Sequence, residues 1–272
     1  MESDIDVRTH LLAESGAAPD GADRVIAEIV LNRPAAMNAL STAMLHALAD
    51  ACRAVGADRA IRVVLVTAAG DRAFCAGADL KERAAMSDAE VLAQRPAFVT
   101  AFAALRGMPQ PRIAAVHGFA LGGGCEVALS CDIVVADETA VLGLPETRVG
   151  LVPGCGGTQL AARRIGPGRA AEMVLTGRHV PAAEAERIGL ADRLVPAGAA
   201  RATALELARQ IAANSPVAVR AATRALRMGD GLGLAAGMEV EDAAWRTAAS
   251  SADRREGIAA FVARRVPAWT GS

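Results

Sequence analysis

The chain has 272 residues, 53% hydrophobic and 22% charged, enough apolar material for one large core or a core with an appendage. Its 29 basic and 30 acidic residues give a formal net charge of −1, so no general field draws in nucleic acid or an anionic membrane, although a local basic patch stays open. Five cysteines without a CxxC pair argue against a zinc knuckle or a disulfide framework and point to a reducing compartment.

Residues 1–8 are acidic and polar, without the basic-then-apolar order of a secretory leader. No run of about 18 uncharged apolar residues occurs, so a cytoplasmic chain without a membrane span is expected. Residues 1–24 carry little pattern and end in a Pro19-Asp20-Gly21 turn. Residues 24–31 (RVIAEIVL) read as a strand, stopped by Asn32-Arg33-Pro34. Ser41 is placed to cap a helix in which Met44, Leu45, Leu48, Cys52 and Val55 recur at helical spacing. Residues 61–67 form a short apolar strand and residues 74–79 (FCAGAD) a small-residue loop.

Ser87 and Glu90 make a capping box for a helix reaching about Arg106, which Pro109 and Pro111 end. Residues 112–116 read as a strand, after which Leu121-Gly122-Gly123-Gly124 opens a helix through Ser130. Residues 133–136 and 140–144 are two further strands, and residues 153–157 a Gly-rich turn. From about residue 158 the pattern is helical, most clearly over 199–213, 216–228, 232–249 and 254–265. Strands alternating with helices, then helices alone, predict an α/β core over residues 1–200 and a C-terminal helical region over 201–272.

The chain lacks a GxxxxGK[ST] phosphate loop, an HExxH zinc helix and a GxSxG elbow. Residues 231–236 (GLGLAA) fit a relaxed dinucleotide pattern but follow a helical run, so no dinucleotide site is expected. His10, His46, His117 and His179 are scattered and read as surface or supporting residues. Two Gly-rich features stand apart: Ala76-Gly77-Ala78-Asp79-Leu80 after a strand, and Gly122-Gly123-Gly124-Cys125-Glu126 at a helix start. Unpaired amides at a helix N-terminus can hold a developing oxyanion. The same glycines also suit a tight turn with close packing.

Glu126 and Glu146 sit among apolar neighbours, where a carboxylate has a raised pKa or a strong partner. Acid/base work and a buried pair with an arginine such as Arg148 both satisfy that. Asp132, at a helix-to-strand junction, and Asp79, before a helix, read as binders of backbone amides.

Taken together, these segments resemble the enoyl-CoA hydratase/isomerase (crotonase) family. The resemblance rests on four motifs in order: Leu31-Asn32-Arg33-Pro34 with Asn38-Ala39-Leu40; residues 74–82 (FCAGADLKE); residues 120–126 (ALGGGCE) with Cys131-Asp132-Ile133; and Pro145-Glu146 with residues 150–154 (GLVPG) and 156–159 (GGTQ). It spans roughly residues 25–265 and implies a spiral of ββα units with C-terminal helices, assembled as trimers or dimers of trimers. It also implies that the amides of Ala78 and Gly123 hold the thioester oxygen. Ala76, Ala78, Asp79, Leu80, Lys81, Gly122 and Gly123 would line the CoA and acyl site.

Hydratases of the family resemble this chain in carrying two glutamates, at the places of Glu126 and Glu146. The implied reaction adds water to a 2-enoyl-CoA to give a 3-hydroxyacyl-CoA, with no cofactor beyond the CoA of the substrate. Glu146 would donate the α-proton, and Glu126 would orient and deprotonate the water. Double-bond isomerisation on the same fold is the alternative. Residues 76–91 and the tail from Met238-Glu239 to residues 253–257 (DRREG) look most like methylglutaconyl-CoA hydratases. The helix over 84–97 would border the acyl pocket.

The basic residue that many relatives place before Asn38 is absent here, so Lys81, Arg33, Arg264 or Arg265 would meet the CoA phosphates. One hydratase relative also binds RNA. Here residues 38–62 set Arg53, Arg59 and Arg62 against Asp50 and Asp58 and hold no aromatic residue for stacking, so no nucleic-acid partner is expected.

Overall fold

The computed structural model describes residues 3–11 and 25–272, so the expected turn at residues 19–21 lies outside the described residues. Over residues 61–143, successive strands go alternately to two sheets. β3 (Ile61–Ala68), β5 (Arg112–Val116) and β7 (Ile133–Asp137) lie in a six-stranded sheet of order β1-β2-β3-β5-β7-β10. Its other members are β1 (Ile5–Leu11), β2 (Val25–Leu31) and β10 (Arg193–Val195). β4 (Ala73–Cys75), β6 (Phe119–Leu121), β8 (Val141–Gly143) and β9 (His179–Pro181) form a four-stranded sheet in that order. The β3-β5-β7 and β4-β6-β8 ladders are parallel, while β1 on β2 and β9 on β8 are antiparallel.

A helix follows each strand pair, so the chain winds as the expected ββα spiral. α1 (Thr42–Ala57) precedes β3, α2 (Leu80–Ala84) and α3 (Asp88–Gly107) follow β4, and α4 (Gly123–Leu129) follows β6. Local chemistry starts these helices where expected. The Ser41 hydroxyl accepts from the Met44 amide, and Ser87 with Glu90 forms the complete capping box of α3. Asp79 caps α2 by accepting from the amides of Lys81 and Glu82. The buried face of α1 carries Met44, Leu45, Leu48, Cys52 and Val55, and it packs against α3.

Three expectations need correction. Residues 5–11, read as unpatterned, form β1, whose alternation of polar and apolar residues suits an edge strand. Residues 74–79, read as a loop, begin inside β4. The stretch after residue 158 holds β9 and β10 besides helices; each has three residues, too few to show a period of two. α5 (Gly157–Ile165) and α6 (Pro167–Thr176) precede β9, and α7 (Ala182–Ile188) lies between β9 and β10.

The last quarter is helical: α8 (Ala200–Ala212), α9 (Pro216–Gly229), α10 (Leu234–Ala249) and α11 (Ala252–Val262). α8 turns Ala200, Ala204, Ala208 and Ala212 onto Ile26, Val63, Leu65, Ile113 and Val135 of the large sheet. A row of methyl groups four residues apart lets the helix lie close to the strands. Asp132 anchors α9 to the core. It accepts from the Arg112 amide (2.7 Å) and from the Arg227 guanidinium, whose remaining donors reach the Met108 and Gln110 carbonyls. Asp132 is structural, as its position at the helix-to-strand junction suggested.

Glu28 is buried in the middle of β2 and forms an ionic staple between the sheet and α8. Arg201 of α8 donates to both its oxygens (2.6 and 2.7 Å), Thr67 donates to Oε1 (2.8 Å), and His10 lies 2.7 Å from Oε2. Burial alone would raise this carboxyl, but the bonds from Arg201, His10 and Thr67 outweigh it and hold its pKa at about 2, below the ordinary 4.5. The resulting stabilisation is complete above the ordinary carboxylate range and is lost as pH falls from there through about 2. Glu28→Gln is expected to destabilise the fold by roughly 2–4 kcal/mol at neutral pH, because it leaves Arg201 half-paired. Urea unfolding at pH 7 and pH 3 should show the gap between wild type and variant narrowing at the lower pH.

Candidate active site

The site begins with a buried asparagine. Asn38, at φ +53°, accepts from the Arg33 amide (2.8 Å) and donates to the carbonyls of Ala69 (3.0 Å) and Ala73 (2.9 Å). One side chain thus ties the 33–38 turn to the end of β3 and the start of β4. The segment it fixes then clamps the loop after β4. Ala76 N donates to Met37 O (3.0 Å), Leu40 N to Gly77 O (2.8 Å) and Asp79 N to Leu40 O (3.1 Å). The Ala78 amide is left over, with no acceptor among the described residues.

The second amide comes from α4. Gly122 takes φ +51°, which turns the chain sharply from β6 into the helix, and a Cβ there would lie 3.1 Å from Glu146 Oε1. Gly124 packs against β4 so closely that a Cβ would lie 2.0 Å from the Cys75 carbonyl oxygen. The Gly123 amide, the first of the helix, also lacks an acceptor among the described residues. A Cβ on Gly123 would sit 3.8 Å from Ala78 N, so the two free amides are neighbours. Two fixed N–H donors side by side are what a developing oxyanion requires.

They open into a cavity of about 550 Å3 between α2, α3, α4 and the 145–155 segment. Ala76, Ala78, Leu80, Gly122, Gly123, Glu126 and Glu146 all line it. The Asp79 side chain does not: it is spent on the α2 amides and on Arg33 (3.1 Å). Lys81 is exposed outside the cavity wall. Of the basic residues considered for the CoA phosphates, Arg33 is bound to Asp79 and Ala39 O, and Arg265 to Glu256.

Neither glutamate pairs with an arginine among the described residues, so the alternative of a buried pair with Arg148 is set aside. Glu126 is 2% exposed, and its Oε1 accepts from the amides of Cys155 (2.6 Å) and Gly157 (2.8 Å). Burial raises its pKa, against the pull of those two amides and the positive charges of Arg95 and Arg106. The two arginines also hold the loop that supplies the amides. Arg95 Nη2 donates to Gly154 O (2.6 Å), and Arg106 Nη1 donates to Cys155 O (2.7 Å).

Glu146 lies in the 3-10 turn Pro145–Val149. Its Oε2 is buried with no partner among the described residues. Burial, and then the charge of nearby Glu126, push its pKa up to about 7. Two carboxyls thus face one cavity, both raised by burial, the first with two amides and two arginine charges opposing the rise and the second raised to about 7. Sequence reasoning missed the amides of Cys155 and Gly157 and the roles of Arg95 and Arg106. These contacts span 29 to 59 residues along the chain and leave no local pattern.

Residues 21–272 match the family described as enoyl-CoA hydratase/isomerase. The chain belongs to that family. It is 43% identical over 244 residues to the 2,3-dehydroadipyl-CoA hydratase of Escherichia coli K12, covering 89% of this chain and 94% of that one. It is 41% identical to the human mitochondrial enoyl-CoA hydratase domain-containing protein 2, over 92% of this chain and 87% of that protein. The crystal structure of an enoyl-CoA hydratase from Bacillus anthracis superposes with a TM-score of 0.90 at 39% identity, over 99% and 100% of the two chains. The α/β spiral with C-terminal helices is therefore the crotonase fold.

Gly124→Ala tests how tightly this family site depends on one contact. The added methyl must push β4 and α4 apart, at a cost of about 1–3 kcal/mol or more in stability. The variant that still folds is expected to lose turnover by more than the stability change alone explains, since both free amides ride on the displaced segments. Thermal unfolding and activity measured on the same preparation check this.

Proposed function

We propose that the protein hydrates 2-enoyl-CoA thioesters to 3-hydroxyacyl-CoA. The observation that carries this reading is the pair of glutamates in one cavity with opposite surroundings, Glu126 on two amides and Glu146 with an unpartnered buried oxygen. The thioester oxygen binds the amides of Ala78 and Gly123, which stabilise it as negative charge moves onto it. Water sits between the carboxyls. Its oxygen attacks Cβ while Glu126 accepts its proton, and Glu146 delivers a proton to Cα. The product leaves with one hydroxyl and one hydrogen added, and proton exchange with solvent restores the two glutamates. The reaction needs nothing beyond water and the CoA carried by the substrate.

Self-association into trimers or dimers of trimers is part of the proposal. Leu234, Met238 and Trp245 on α10 and Phe261, Val262 and Val266 near the C-terminus are exposed apolar side chains, and α10 buries none of its residues in the single chain. A cytoplasmic location is proposed from the five cysteines, all free and buried.

Crotonyl-CoA hydration, followed as loss of the conjugated thioester absorbance, is the test. Glu126→Gln and Glu146→Gln are each expected to fall by about 10²–10⁴ while remaining folded. Inactivity of the wild type on straight and branched enoyl-CoAs would overturn hydration and bring isomerisation forward. The pH dependence carries a sign as well. Glu146 must be protonated to act as the acid, so kcat/KM should decline as pH rises through about 7. A profile flat to pH 9 would remove Glu146 from that role.

A further inference from the structure

Residues 152–155 bring the Cys155 amide to Glu126, yet they make no backbone–backbone hydrogen bond among the described residues. Gly154 lies within the segment and Gly156, at φ +118°, follows it, so the backbone there is loosely restricted. Its order comes from side chains, and two arginines of α3 supply it. Arg95 Nη2 donates to Gly154 O (2.6 Å) and Arg106 Nη1 to Cys155 O (2.7 Å). The two stand about three turns apart, on one face of the helix.

Gly154 O and Cys155 N belong to one trans peptide group, so the carbonyl and the N–H point opposite ways. Arg95 therefore grips the far side of the plane whose N–H meets Glu126 Oε1. A donor on the carbonyl also polarises the peptide and makes its N–H a stronger donor. Gly157, the second amide on Oε1, opens α5, and the positive end of that helix acts in the same direction. Both amides fall on Oε1. Oε2 accepts nothing among the described residues and is left for the cavity that Glu126 lines.

Neither arginine is within ion-pair distance of a carboxylate among the described residues, and both charges favour the Glu126 anion. The other ionisable neighbours are few. Glu146 faces Glu126 from its 3-10 turn, Cys155 from the loop and Cys125 from its own helix. Burial pushes both thiols up, that of Cys155 to about 12, so they stay neutral. The first turn of α5 (GTQL) carries no charge. Arg95 lines the cavity, whereas Arg106 stands outside its wall and reaches the chemistry through the loop.

We infer that Arg95 and Arg106 are positioning residues for the base: they fix the loop so that two amides occupy Oε1 of Glu126, and Oε2 is the oxygen that takes the proton from water. This rests on the acid/base reading of Glu126 above and deepens it.

Arg106 gives the cleaner test, since it does not line the cavity. Wild type, Arg106→Met and Arg106→Lys are compared in two ways. One is the pH profile of crotonyl-CoA hydration. The other is a carbon-13 NMR titration of glutamate carboxyls in labelled protein, with the Glu126 signal assigned by its absence from Glu126→Gln. Arg106→Met is expected to lose about 10–100-fold in kcat, the scale of a small misplacement of a reacting group. KM should stay within about twofold, because the residues that line the cavity are unchanged. Glu126 must be ionised to act as the base, so kcat/KM rises with pH through its titration. Loss of a positive charge and of a fixed amide disfavours the anion, so the acid limb and the NMR titration should both move to higher pH. Arg106→Lys keeps the charge and a donor, and should recover most of both.

An unmoved Glu126 titration in Arg106→Met overturns the proposal, even if kcat falls with thermal stability, for the arginine then only holds the fold. A lysine variant as impaired as the methionine one in both readouts overturns it too. The NMR titration needs no turnover. If wild type hydrates no enoyl-CoA, the hydration reading fails on its own, and the titration still decides whether the arginines govern Glu126.

Discussion

The approach of α4 to β4, with no room for a side chain at Gly124, is the contact on which the site depends. Its closeness to the Cys75 carbonyl brings the first turn of a helix beside a loop from a different turn of the spiral. Only that juxtaposition makes neighbours of two amides 45 residues apart in sequence, Ala78 and Gly123. The buried Asn38 holds the loop side of the contact through three backbone bonds, and Leu40 locks the segment that presents Ala78. The donors are therefore fixed by the packing of the core before any ligand arrives, the condition under which such donors stabilise a transition state most.

The glutamates depend on a second frame. An isolated carboxylate as buried as Glu126 would be costly to ionise, and the cost is partly offset by two amides on a loop whose carbonyls are gripped by Arg95 and Arg106. The arginines act twice: they hold the peptide groups in the orientation that presents N–H to Glu126, and their charge favours its anion. Glu146 has only its own backbone amide against burial and the charge of Glu126, and its pKa is pushed up to about 7. In the proposed hydration this asymmetry assigns the base and the acid.

Much of this was legible in the sequence, for local reasons. Ser41, Asp79, Ser87 and Glu90 announce helix starts because capping is a contact between residues two or three apart. The glycines before Glu126 announce a crowded strand-to-helix turn in the same way. What stayed hidden is nonlocal. Nothing around Arg95 or Arg106 marks them as partners of carbonyls 59 and 49 residues away. Nothing around Glu28 marks it as ionised and buried, since its partners come from β1, β3 and α8. β9 and β10 are defined by the strands they join and are too short to carry a period of their own.

The Glu28 staple also bears on the order in which the chain can assemble during synthesis. Its guanidinium partner, Arg201, lies 173 residues further along. Until α8 has left the ribosome, the carboxylate in the middle of β2 has only Thr67 and His10 to replace its water, and the alanine row of α8 is not yet in place over the large sheet. Drying of that face is thus deferred until about three-quarters of the chain exists. Long-range closure of this kind slows folding, and here it delays commitment of the large sheet until every strand of both sheets has been made.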